Sequence, residues 1–211
     1  MNSSLRLARR PGISWVLGAA VLLAGCSVLD KPTRATVFDF GASAVPVAQG
    51  QANAARVPVA LADVEAPSAF DSTAVLYRLG FADAQQLQPY AQARWSMPPA
   101  QLLRQRLRQA LSQQSTVMRE GEVALLRPLV LRLEIDEFSQ RFDAPDKSAG
   151  QVRVHATVTQ ASGTGERLVA QRDFVAERPA PSADAAGGVR ALTAASDAVV
   201  ADITQWMGGL P

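Results

Sequence analysis

The sequence predicts a single domain of the α/β or α+β class, built on one mixed β-sheet with two main helices. In several segments apolar residues alternate with polar ones, which is typical of strands with one buried face, and in two others they recur every three or four residues, which is typical of amphipathic helices. The chain has 211 residues, of which 48% are hydrophobic and 19% charged, so it can form a substantial core. We see no internal repeat and no domain boundary between residues 36 and 208.

The first half of the chain carries short extended segments. Pro58 lies in one of them and indicates a strand start or a sheet edge. A stretch rich in Ala, Gly, Ser and Gln predicts a loop. In chain order, the expected elements are a strand at residues 36–40, the loop at 41–55, strands at 57–61 and 75–81, and an extended segment at 87–95.

A helix follows these strands. Pro98 and Pro99 mark its start, because proline is tolerated in the first turn of a helix. Leu103, Leu107 and Leu111 then recur at helical spacing. We predict a helix over residues 98–114.

The next segments are strands. Residues 129–135 alternate strictly, but Phe138 and Phe142 have the opposite parity, which predicts a bulge near residues 136–137. Residues 143–150 are expected to form a turn or loop. Residues 150–176 are predicted to form a β-hairpin with its turn at Ser162-Gly163-Thr164-Gly165.

The chain closes with a second helix. Val189, Leu192, Val199 and Ile203 lie at helical spacing, which predicts an amphipathic helix over residues 189–207 that Gly208-Gly209 stops. Residues 179–188 are expected to be a linker or a poorly capped helix start.

The N-terminus is typical of an exported protein. Three arginines are followed by an apolar run and by the small residues Ala24-Gly25, the pattern of a secretory signal peptide over residues 1–25. Leu23-Ala24-Gly25-Cys26 resembles the bacterial lipobox. That resemblance implies a diacylglyceryl group on the Cys26 sulfur and an acyl chain on its nitrogen. The alternative is a plain signal anchor with an incidental cysteine.

The residue after the cysteine indicates a destination. In lipobox proteins an aspartate there favours retention in the inner membrane, and Ser27 stands there instead. We therefore expect an anchor on the periplasmic face of the outer membrane of a Gram-negative cell. Residues 26–35 look like a tether, and about ten extended residues reach at most ~35 Å.

Composition excludes several function classes. Arg6, Arg9 and Arg10 precede Cys26 and no acidic residue does, so the remaining chain has one more acidic than basic residue, and a nucleic-acid partner is not expected. One cysteine and one histidine exclude an internal disulfide and the usual four-ligand zinc sites. The sequence contains no P-loop and no Gly-x-Ser-x-Gly motif.

Few residues are candidates for chemistry. His155, the single histidine, falls on the polar face of its strand and is best interpreted as a solvated residue rather than a catalytic base. Glu134 and Glu137 lie on opposite faces of a regular strand, unless the predicted bulge realigns them. We expect no enzyme activity and no metal.

A basic patch is a further candidate, for lipid headgroups or an acidic partner. A solvated helix face is the alternative. Tyr90 and Trp95 are interpreted as core or as part of a partner groove. The patch would contain Arg94, Arg104, Arg106 and Arg108.

Several motifs occur together after the lipobox. They are Leu76-Tyr77-Arg78, Tyr90-x-x-Ala93-Arg94-Trp95, Pro98-Pro99-x-x-Leu102-Leu103, Glu134-x-x-Glu137-Phe138 and an Ala-rich closing helix. In this order over residues 36–208 they resemble the ABC-type transport auxiliary lipoprotein family, which includes the lipoprotein of the paraquat-inducible system. The resemblance implies a fold similar to the sandwich of the TolB N-terminal domain.

The resemblance also implies a role. Such lipoproteins accompany an ABC ATPase, a permease and a periplasmic protein with a mammalian-cell-entry (MCE) domain, in systems that move phospholipids or other hydrophobic molecules between the two membranes. The chain would be an adaptor without catalytic residues and with no cofactor besides its acyl chains. Exposed strand edges would allow homo-oligomers or strand addition by a partner. The candidate partner-binding residues are Tyr77, Arg78, Arg94, Trp95, Arg104, Arg108, Glu137 and Phe138.

Three other functions stay open at this point. One is a lipid carrier with its own apolar cavity, another an assembly or secretion lipoprotein, and the third a periplasmic hydrolase that depends on His155.

Overall fold

The computed structural model describes residues 34–42, 58–119, 127–162 and 165–210. The predicted signal peptide, Cys26 and nearly all of the predicted tether lie outside these residues, as does most of the predicted loop at 41–55. From Ala35 onward the described residues belong to one compact unit.

The described residues form eight strands and two helices. The strands are β1 (Thr36–Phe38), β2 (Val59–Glu65), β3 (Ala74–Leu79), β4 (Asp83–Trp95), β5 (Val117–Arg119), β6 (Leu129–Ala144), β7 (Lys147–Ser162) and β8 (Gly165–Pro179). The helices are α1 (Pro99–Leu111) and α2 (Ala185–Gly208). The predicted class, one mixed sheet with two main helices, is confirmed.

All eight strands join one sheet, in which β6 is central. The full length of β6 pairs antiparallel with β7, and β7 pairs antiparallel with the edge strand β8. The other edge of β6 is shared by two parallel neighbours, β2 along its first half and β3 along its second. Beyond them, β5 extends the sheet from β2, and β4 and β1 extend it from β3.

Both helices use the apolar face of the sheet. On β7 this face consists of Val152, Val154, Ala156 and Val158, all fully buried. Helix α2 packs on β7 and β8 and against α1, and α1 packs on β2. The opposite face of β7 carries Arg153, His155 and Thr157, as strand alternation requires. The result is one layer of helices over one sheet, with the core between them.

The predicted bulge in β6 is confirmed. The pairing of β6 with β7 shifts register between Ile135 and Glu137, so that Ile135 and Phe138 both face the helices. The hairpin of β7 and β8 is also confirmed, since Ser162 pairs with Gly165. Its two turn residues, Gly163 and Thr164, lie outside the described residues.

Two local predictions are corrected. The predicted turn or loop at 143–150 is a turn of only two residues, because β6 continues to Ala144 and β7 begins at Lys147. The start of α2 is not poorly capped, because the Asp184 carboxylate accepts a hydrogen bond from the Gly187 backbone N–H at 2.7 Å. This bond lowers the pKa of Asp184.

Candidate partner-binding surfaces

Two of the predicted partner-binding residues lie in the core. Trp95 and Phe138 are 2% and 1% exposed, and their ring centroids are 5.8 Å apart. Phe40, which follows β1, completes the cluster at 5.6 Å from Trp95 and 6.3 Å from Phe138. These rings join the N-terminal segment to β4 and β6, so any contact with a partner falls to the residues around them.

Tyr77 and Tyr90 belong to a partly buried polar network beneath the start of α2. Their ring centroids are 4.6 Å apart. The Tyr90 hydroxyl donates to Gln140 Oε1 at 2.8 Å, and Gln140 Nε2 donates to Ser148 Oγ at 2.7 Å. Burial, with the nearby Tyr77, raises the pKa of Tyr90 far above its usual value. The phenol therefore stays neutral and acts as a hydrogen-bond donor.

Arg78 and Glu137, which the sequence places in separate motifs, meet as an ion pair at 3.3 Å on the sheet face opposite the helices. The bulge in β6 makes this possible. Glu134 pairs with His155 and Glu137 with Arg153, two residues apart on β7, so both glutamates lie on one face. Arg78 also approaches the carbonyl oxygens of Ala84 and Gln85 at 3.4 Å. The pair joins β3, β4 and β6.

Arg94 and the helix arginines do not form one basic patch. Arg94 lies on β4, where its neighbours Ala93 and Trp95 are both buried, so its side chain belongs to the opposite sheet face. It donates to the carbonyl oxygens of Tyr90 and Ala93. Arg106 is only 4% exposed, so it is not available at the surface. The predicted patch is corrected to Arg104 and Arg108 alone.

Arg104 and Arg108 line a groove of about 540 Å³ between α1 and the β2–β5 edge. Arg104 pairs with Asp63 at 3.1 Å and donates to the carbonyl oxygen of Ala62 at 3.1 Å. Arg119 and Asp71 line the same groove. Since β5 ends at Arg119 while β2 continues to Glu65, the last residues of β2 lie beyond the end of β5 at this point.

A buried ion pair between the helices was not predicted. Arg106 of α1 lies 3.3 Å from Asp197 of α2, donates to the backbone carbonyl oxygens of Phe40 and Gly41, and places its guanidinium over the Phe40 ring. Burial raises the pKa of Asp197, although the Arg106 charge opposes this shift. The sequence did indicate the burial of Arg106, because Leu103, Arg106 and Ala110 are spaced so that they share one helix face.

His155 is part of the outer sheet face. Its Nδ1 lies 2.6 Å from Asp173 Oδ1, and the Asp173 side chain is 69% exposed. Across the described ranges, no three metal-binding side chains cluster. Neither described helix is long and apolar enough to cross a membrane.

The chain is similar to one protein family and to several solved structures. A family model described as "ABC-type transport auxiliary lipoprotein component" matches residues 38–204. The protein XCC0632 from Xanthomonas campestris, assigned to family model DUF330, is 22% identical; the match covers 71% of this chain and 83% of that one, with a TM-score of 0.61. A structure titled as an uncharacterized protein is 16% identical over 82% of this chain and 98% of that one, with a TM-score of 0.63. No curated protein matches the chain.

Proposed function

The chain belongs to the ABC-type transport auxiliary lipoprotein family, and on that premise we propose that it is an outer-membrane-anchored adaptor of an MCE-type transport system. In this role the acylated Cys26 holds the domain at the periplasmic face of the outer membrane. The domain contacts the MCE-domain protein, and the ATPase and permease act at the other membrane. The cargo would be phospholipids or other hydrophobic molecules.

The family match over residues 38–204 carries this proposal, because it spans nearly the whole domain that follows the predicted tether. The charged surface near α1 supports it. The groove lined by Arg104 and Arg108 combines arginines with the end of β2, where β5 no longer pairs with it among the described residues, and unpaired strand edges accept peptide segments of partners. We assign the MCE-protein contact to this groove.

A lipid carrier is the second candidate, and the described cavities argue against it. A carrier needs an enclosed apolar space for acyl chains. Three grooves among the described residues have volumes of about 540–570 Å³, and all three are open to solvent rather than enclosed. Polar side chains such as Gln113, Gln205, Arg104 and Arg172 contribute to their walls.

The anchor is tested by two substitutions near the lipobox. We expect Cys26→Ala to leave the chain out of the membrane fraction, because no acyl chains can be attached. We expect Ser27→Asp to keep the chain membrane-bound but to move it to the inner membrane. The measurement is density-gradient separation of the two membranes, with complementation of a deletion strain.

An outer-membrane adaptor requires both variants to fail in complementation. Full complementation by the Ser27→Asp protein from the inner membrane would contradict the proposed location. Unchanged membrane attachment of the Cys26→Ala protein would contradict the proposed lipidation.

A further inference from the structure

The edge strand β8 has a basic side. Arg172 pairs across from Ala156 and Arg178 from Gly150, two positions that face the helices. Arg167 lies opposite Gln160, which has the same parity as Ala156 on β7. Residues that lie directly opposite each other in an antiparallel pair share a face. The three arginines therefore share the helix-side face of β8, and we name them the arginine flank.

The acidic residues of β8 lie on its other side, and each has an internal partner. Glu166 pairs with Arg132 at 2.7 Å, Asp173 with His155 at 2.6 Å and Glu177 with Arg141 at 3.7 Å. The bond from Arg132 lowers the pKa of Glu166, which keeps that carboxylate charged. Within the described part of the chain, the ion pairs include none of the three flank arginines.

This asymmetry leaves net positive charge on one side of an exposed strand. Arginines that lie in a row without carboxylate partners repel one another, and a nearby anionic surface relieves this repulsion. The flank therefore fits an extended negatively charged partner rather than a single small anion.

Aromatic and apolar groups accompany the charge. The Arg172 guanidinium lies 5.2 Å from the centroid of the Phe174 ring, and Phe174 lies 5.5 Å from Trp206. Arg172, Trp206 and Leu210 line one cavity of about 550 Å³, with Asp202 at its wall. Tryptophan and arginine together are typical of residues at the boundary between water and lipid headgroups.

We propose that the arginine flank rests on the anionic headgroups of the bilayer to which the chain is anchored. This inference rests on the proposed lipid anchor. A tether of about ten residues keeps the domain within ~35 Å of that surface. At this distance a membrane is a permanent neighbour, whereas an acidic protein must be recruited. The contact would orient the domain and leave the Arg104–Arg108 groove for the MCE-domain protein.

Trp206 provides a natural probe of this contact. The chain has three tryptophans, and removal of the signal peptide takes away Trp15. Trp95 is buried, so Trp206 alone is placed to respond to lipid. The lipidated protein, from which the signal peptide has been removed, is reconstituted into vesicles of brominated phosphatidylcholine, with or without phosphatidylglycerol. Bromine atoms quench tryptophan only at short range.

We expect quenching of Trp206 in vesicles that contain phosphatidylglycerol and little in vesicles that lack it. The variant R167Q/R172Q/R178Q should reduce the lipid-facing population at least about tenfold, since each basic side chain near an anionic surface contributes roughly fivefold. The control K147Q/R153Q, which removes two exposed charges outside both the flank and the Arg104–Arg108 groove, should quench as the wild type does. Trp206→Phe, which preserves the contact with Phe174, should abolish the signal.

The outcomes separate this inference from the proposed anchor. If the protein floats with the vesicles but phosphatidylglycerol and the flank arginines leave its quenching unchanged, the flank proposal is wrong and the anchor stands. If the protein does not float, the anchor fails and the flank proposal with it. Loss of an acidic protein from pull-downs of the flank variant, without any quenching in the wild type, would assign the flank to that protein instead.

Discussion

Replacing Arg106 with Met is expected to destabilise the domain by about 3–5 kcal/mol, the range for breaking a buried ion pair from one side. The substitution leaves the partly buried carboxylate of Asp197 without its cation, and it removes the donor to the carbonyl oxygens of Phe40 and Gly41. Urea unfolding of the purified chain, followed by circular dichroism, measures the change in the free energy of unfolding.

A double variant is the control for this prediction. In Arg106→Met/Asp197→Leu both charges are absent, so we expect part of the lost stability to return. A loss below about 1 kcal/mol in the single variant would mean that the ion pair contributes no more than an exposed one. A double variant no more stable than the single one would show that the carbonyl contacts, rather than the orphaned carboxylate, dominate.

Replacing Gly150 with Ala is expected to cost about 3 kcal/mol, at the upper end of the range for an overpacked core. A Cβ atom at Gly150 would lie 2.5 Å from the backbone N of Leu192 and 2.6 Å from the carbonyl carbon of Ala191. These are backbone atoms of α2, so the helix itself must move away from β7. Thermal unfolding gives the size of the loss, and hydrogen exchange along α2 reports the displacement.

Gly208 offers a matched control at the end of the same helix. A Cβ atom there meets only Gln114 Oε1, at 3.6 Å, which is an ordinary contact. Gly208→Ala should therefore be neutral or slightly stabilising, within about 1 kcal/mol. If Gly150→Ala and Gly208→Ala lose the same stability, the close approach of α2 to β7 is not the reason that position 150 carries a glycine.

Alternation and spacing predicted much of the fold. The change of parity between Ile135 and Phe138 located the β6 bulge, and the spacing of Val189, Leu192 and Ile203 located α2. Each of these signals is local and repeats over several residues. The turn between β6 and β7 was predicted too long because polar residues of the outer sheet face continue up to it.

The parts that the sequence did not predict depend on distant residues. Strand β5 has only three residues, too few for a periodic pattern. The ion pair of Arg106 with Asp197 joins two helices, and no spacing within one helix identifies its partner. The pairing of Arg78 with Glu137 depends on the sharing of one edge of β6 by β2 and β3.

Contacts with distant residues also decide which candidate site residues are buried in the core and which line the surface. Trp95 and Phe138 look alike in sequence whether they pack or bind, and the sheet topology places both in the core. Arg104 and Arg106 are two residues apart, yet one lines a groove and the other is buried between helices. Helix orientation, which tertiary packing sets, decides between these outcomes.

The adaptor role is tested most directly by isolating the tagged, lipidated chain from its own envelope in mild detergent and identifying the bound proteins and lipids by mass spectrometry. We predict recovery of an MCE-domain protein, reduced at least about tenfold by R104E/R108E and unchanged by the control K147E/R153E, since charge reversal at a contact opposes association strongly. Recovery of stoichiometric lipid without an MCE-domain protein, or of neither, would contradict the adaptor role.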